Sequence, residues 1–116
     1  MSEARDKSIA VVNKCAQHKM LDKLITQIQK DLLRAGVVHN FFNLSEENLF
    51  DALKSILNML ITDKRDSLYA FLYAVDVSEA SIRAIVEHNA MIEVEQLTYL
   101  ILKREYMKIV YREGLL

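Results

Sequence analysis

The chain has 116 residues, of which 52% are hydrophobic and 27% are charged, and it contains two glycines and no proline. A chain of this length can bury one core but is too short for several, so we expect a single helical domain over residues 1–116. The near absence of glycine and proline excludes turn-rich β-sandwiches and barrels, which need these residues at most reversals. The net charge of -1 lacks the basic excess of a dedicated nucleic-acid-binding protein.

Cysteine usage and hydropathy indicate the compartment. Cys15 is the only cysteine, and a lone thiol in so short a chain is typical of a reducing cytosol. The longest unbroken apolar run is residues 68–75, whereas a membrane span needs about 20 residues. Acidic residues at Glu3 and Asp6 do not fit a secretory or transit peptide. We therefore expect a cytoplasmic protein with no membrane contact.

Apolar spacing predicts a first long helix over residues 19–35, which Gly36 ends. Residues 9–18 either extend this helix backwards or form a separate one, and residues 1–8 are expected to be loosely ordered. The stripe that faces the core consists of Leu21, Leu24, Ile25, Ile28 and Leu32.

A connection over residues 37–44 leads to the next predicted helices, and its Phe41 and Phe42 are expected to fold back onto the core. Ser45 is the predicted N-cap of a helix that ends before the polar reversal at residues 62–66. Ser78 is the predicted N-cap of a short later helix. The core-facing residues between these caps are Leu49, Leu53, Ile56, Leu57 and Leu60, followed by Leu68, Phe71, Leu72 and Val75.

The last predicted helix, residues 92–113, is apolar on two faces. A helix that is apolar over so wide an arc is buried on two sides, so it is either central in the bundle or meets a second subunit. We predict an all-α fold, a compact bundle of five to six helices with the last helix central. One apolar face holds Val94, Leu97, Leu100 and Ile101; the other is the candidate interaction surface of Tyr99, Leu102, Tyr106, Ile109 and Val110.

A basic stripe is the one patterned charge feature. Arg104, Lys108 and Arg112 are spaced by four residues and stack along one face of the last helix. Two interpretations fit: a stripe that binds phosphate or an acidic partner, or a solvated helix edge where cations are favoured by the C-terminal dipole. Both remain open at this point.

The sequence contains no residue pattern that is typical of a metal or cofactor site. His18, His39 and His88 do not follow a glutamate at the spacing of a helical di-iron site, and Cys15 with His18 supplies only two zinc ligands. Two glycines cannot build a phosphate-binding loop, and no serine lies in a glycine-flanked elbow. We therefore expect no catalytic residue, no cofactor and no metal.

Acidic residues collect in residues 76–96, which carry a net charge of -4. Glu87, His88, Glu93 and Glu95 could surround a divalent ion or a basic partner. Most of these carboxylates also lie at predicted helix starts, where the helix dipole favours anions.

Three segments resemble a set of short bacterial all-helical proteins of unassigned function: KMLDKLITQIQKDLL, SLYAFLYAVDVSEA and LTYLILKREYMKIVYRE. The resemblance covers most of residues 19–113. It implies a compact helical bundle and carries over no functional residue.

The function expected from these patterns is that of a non-enzymatic interaction or assembly module, which self-associates as a homodimer through the last helix. The first alternative is a small regulator that contacts nucleic acid through the basic stripe. The second is a helical ligand-binding protein or enzyme with an interhelical pocket around His39, Phe41 and Phe42.

Overall fold

The computed structural model describes residues 2–38, 44–88 and 93–114, with the backbone alone for residues 85–88. Within these ranges there is no strand, which confirms the predicted all-α bundle of five to six helices. None of the described helices combines the length and apolar composition of a membrane span. The helices are α1 (Glu3–Gln17), α2 (Leu21–Arg34), α3 (Leu49–Asp63), α4 (Arg65–Val75), α5 (Glu79–His88) and α6 (Val94–Arg112).

Helix α6 lies at the centre, as predicted, and packs against each of the other five described helices. Its two apolar faces are covered by the same chain, because Leu97 and Ile101 on one face and Leu102 on the other are all buried. The predicted core stripes of α3 and α4 are also buried. The largest fully buried side chains are Phe71, Leu24, Ile28, Leu32, Leu49, Leu53, Leu57, Leu60, Leu68, Leu72, Leu97 and Ile101.

The N-terminal segment departs from its prediction. The described residues 2–8 are not a loose segment, because α1 begins at Glu3 and Ser2 caps it by accepting a hydrogen bond from the Arg5 N–H at 3.0 Å. The buried stripe of α1 starts with two small residues, Ala4 and Ser8, which an apolar periodicity search overlooks. An ion pair from Arg5 to Asp51 at 2.9 Å ties this segment to α3.

The helical structure is interrupted between α1 and α2, so residues 9–17 belong to a separate helix that His18 caps. Lys19 has a φ of 58° in the left-handed region. The N–H of Lys19 donates to the Ala16 carbonyl at 3.1 Å and that of Met20 to the Cys15 carbonyl at 2.8 Å. This paired arrangement ends a helix efficiently, but it normally places glycine in the left-handed position.

Replacing Lys19 by glycine is expected to raise the free energy of unfolding by about 0.5–1 kcal/mol, because glycine has no Cβ to oppose a positive φ. Urea unfolding followed by circular dichroism measures this. The matched control, Lys30→Gly on the exposed face of α2, lowers the same quantity by about 1 kcal/mol. A loss of stability in both variants would contradict a left-handed backbone conformation at Lys19.

The start of α3 also differs from its prediction. Ser45 is not its N-cap, since residues 46–48 form a turn and the helix begins at Leu49 after Asn48. The Ser45 hydroxyl accepts the Glu47 N–H at 3.3 Å inside that turn. The predicted cap at Ser78 is confirmed, since its hydroxyl accepts the Ser81 N–H at 3.1 Å.

Candidate functional site

The exposed face of α6 carries a groove of about 670 Å³, which we call the outer groove. Met107 and Tyr111 lie one turn apart in it, with 38% and 78% of their surface exposed. A second concavity of about 450 Å³ between α5 and α6 shares Arg104 and Met107 with it. The outer groove is lined by Arg104, Met107, Lys108, Tyr111 and Arg112.

The predicted basic stripe lies along this groove, so the three cations do share one face. Each of them also has a partner within the chain, which links α6 to α2 and to the end of α4. Arg104 and Arg112 remain exposed, whereas Lys108 turns inward. The pairs are Arg104 with Asp76 at 2.9 Å, Lys108 with Asp31 at 2.8 Å and Arg112 with Gln27 at 2.8 Å.

Behind the groove lies a buried charge cluster of Gln27, Asp31, Glu105 and Lys108. Lys108 Nζ lies 2.8 Å from Asp31 Oδ2 and 2.8 Å from Glu105 Oε1. The Gln27 amide donates to both Asp31 carboxylate oxygens at 3.3 Å. Among the described residues, no donor is aligned for a hydrogen bond to either Glu105 oxygen, although both are buried. One ammonium therefore serves two buried carboxyl groups.

The two carboxyl groups have opposite pKa shifts. Burial and then the adjacent Asp31 raise the pKa of Glu105, Lys108 opposes the rise, and together they place it at about 8. Burial also acts to raise the pKa of Asp31, but the neighbouring Glu105, Lys108 and Gln27 groups outweigh it and lower that pKa. At neutral pH Asp31 is therefore ionised and Glu105 protonated, and the cluster carries no net charge.

Sequence reasoning missed this cluster, although a signal was present. Glu105 lies four residues from both Ile101 and Ile109, and Asp31 lies three residues after Ile28, so both occupy core positions of helical stripes. A carboxyl group at such a position needs a polar partner. That requirement points to Lys108, one turn after Glu105 on the same helix.

The candidate interaction surface is mostly internal. Leu102, Ile109 and Val110 are buried in the core, where they hold the bundle together. Tyr99 and Tyr106 are half-buried at its border. Lysine ammonium groups lie over both rings, with Lys7 and Lys103 5.7 and 5.9 Å from the Tyr99 centroid and Lys14 5.9 Å from that of Tyr106.

The cysteine and histidine positions do not converge on a metal site in the part of the chain that the structure describes, where no three potential ligands group together. Cys15 is fully buried, and burial raises the pKa of its thiol to about 11, while His18 is exposed. The predicted pocket around His39, Phe41 and Phe42 lies outside the described residues, as does the side chain of His88.

The described acidic residues of the 76–96 segment have structural partners. Glu93 caps α6 by accepting the Glu95 N–H at 3.2 Å. Glu95 pairs with Lys54 at 2.7 Å and accepts a hydrogen bond from Ser2, and these two contacts lower the pKa of its carboxyl group. Asp76 and Glu79 remain exposed at the approach to α5. The side chain of Glu87 lies outside the described set.

Comparison with protein families, with curated proteins and with solved structures gives no match to this chain.

Proposed function

We propose that the chain is a non-enzymatic, cytoplasmic interaction module that self-associates through the outer groove of α6. The observation that carries the proposal is the groove, in which exposed Met107 and Tyr111 lie between Arg104 and Arg112. Methionine, tyrosine and arginine are enriched at protein interfaces. Leu102, which belongs to the candidate interaction surface predicted from the sequence, is buried in the core. We therefore assign the contact between copies to the exposed residues of α6 instead.

A second copy of the chain is the proposed occupant, because its charge complements the groove. Residues 76–96 carry a net charge of -4. Asp76 and Glu79 there stay exposed while they pair within the chain, Asp76 with Arg104 at 2.9 Å and Glu79 with Arg83 at 3.7 Å, so a contact between copies would exchange these surface pairs for pairs across the interface. Residues 97–116, which include the groove, carry a net charge of +2. Two complementary patches on one chain support a two-fold contact, in which each groove meets the acidic segment of the other copy.

Sedimentation equilibrium tests the proposal. The wild-type chain is expected to form a dimer, and Met107→Asp is expected to weaken it at least about tenfold, since a carboxylate would be buried in the contact. The matched control is Met59→Asp on α3, a methionine with a similar exposure of 41%. The control leaves the dimer unchanged. A strict monomer at high concentration, or equal effects of the two variants, would overturn the proposal.

Nucleic-acid binding is the second candidate, favoured by the alignment of Arg104, Lys108 and Arg112 on one face. Their partners within the chain and the net charge of -1 count against it. A labelled oligonucleotide is expected not to bind at physiological salt. Binding that weakens steeply with salt and is lost in Arg104→Glu/Arg112→Glu would favour the nucleic-acid function instead.

A further inference from the structure

The buried charge cluster holds more acid than base. Asp31 and Glu105 are both fully buried, and both reach the same Lys108 ammonium at 2.8 Å. Two carboxylates and one ammonium would leave an excess negative charge in the interior, which Arg34, 3.7 Å from Asp31, offsets only in part because its guanidinium is exposed and screened by solvent. Burial strongly disfavours such a charge, and binding one proton removes it.

The charges around Glu105 come from two helices. Helix α2 contributes Asp31, with Arg34 3.7 Å from its other oxygen, and α6 contributes Lys108. Helix α4 has its charged side chains only in its first turn, and at its far end the Ala74 carbonyl accepts from Lys108 at 3.4 Å. Helix α1 packs along the neighbouring side of α6, where Lys14 lies over Tyr106. No second ammonium among the described residues reaches Glu105.

We propose that Asp31 and Glu105 share one proton in the folded protein at neutral pH, and that releasing this proton at alkaline pH loosens the junction of α2, α4 and α6. Ionised Glu105 repels Asp31, and a single Lys108 cannot neutralise both. Water must then enter the junction, which separates α2 from α6. The raised pKa of Glu105, about 8, fits this account. This pH-dependent loosening, which we call the switch, does not depend on self-association, because all of its ionisable groups belong to one chain.

Carbon-13 NMR of the side-chain carboxyl groups in the wild-type protein tests the shared proton directly. One buried carboxyl signal is expected to titrate near pH 8, and its assignment to the Asp31 and Glu105 pair follows from its loss in Glu105→Gln. Titration of Asp31 and of every glutamate near the ordinary carboxyl range of about 4 would overturn the proposal.

Urea unfolding tests the switch. Between about pH 5 and 8 the wild-type midpoint is expected to fall by about 1–2 M, because over that range Glu105 keeps its proton in the folded state but not in the unfolded state. Glu105→Gln, which imitates the protonated acid, removes most of this fall. The control Glu113→Gln, at an exposed carboxylate paired with Lys23, keeps it. The same pH dependence in all three proteins would overturn the switch.

Discussion

Replacement of Lys108 by methionine is expected to lower the free energy of unfolding by about 3–5 kcal/mol, because it removes from two buried carboxyl groups the one ammonium that reaches both among the described residues. The side chain is mostly buried and lies 2.8 Å from both Asp31 and Glu105. Methionine keeps the volume of the stem, so the loss measures the charge and not a cavity. Urea unfolding at neutral pH measures it.

The loss in Lys108→Met depends on pH in a defined direction. Without the ammonium, the pKa of Glu105 loses the group that opposes its rise and Asp31 loses one of the groups that lower its pKa, so the variant is expected to weaken more steeply than the wild type as the pH rises. The control is Lys30→Met on the exposed face of α2, which is expected to change the free energy of unfolding by less than about 0.5 kcal/mol. A loss below about 1 kcal/mol in Lys108→Met would contradict the buried cluster.

Truncation of Leu102 to alanine is expected to cost about 2–5 kcal/mol of unfolding free energy. The side chain is fully buried within a single chain, so its removal leaves a cavity in the core. The loss should therefore be the same at low and at tenfold higher protein concentration. A loss that shrinks as the protein is concentrated would show that Leu102 belongs to a contact between copies.

Tyr111→Ala is the matched test on the outer side of the same helix. Because Tyr111 is 78% exposed, the free energy of unfolding should change by less than about 1 kcal/mol. Its loss should instead weaken self-association, since tyrosine contributes large contact area at interfaces. The two substitutions separate the core face of α6 from its proposed binding face.

The helical class and the core of α3 and α4 could be predicted because their leucines and Phe71 recur at 3.6-residue spacing. The central position of α6 followed from its two apolar faces. Other local features depend on backbone geometry that spacing does not encode. The break at Lys19 uses a left-handed residue where glycine is usual, and the serine at position 45 caps a turn instead of a helix.

The candidate site was only partly predictable. Periodicity identified α6 as unusual and aligned Arg104, Lys108 and Arg112, but it could not tell which apolar face the same chain covers. That depends on how the other five described helices pack around α6, which is a property of the whole fold. The pairing of Asp31 with Glu105 joins residues 74 positions apart, so no local pattern brings them together.

Concentration-dependent amide chemical shifts test the proposed function most directly. In a ¹⁵N–¹H spectrum, dilution is expected to shift the signals of the outer groove, residues 104–112, and of the acidic approach to α5, residues 76–79. Signals of exposed α3 residues around Met59 should stay in place. Spectra that do not change with concentration, or changes confined to surfaces away from α5 and α6, would contradict self-association through the outer groove.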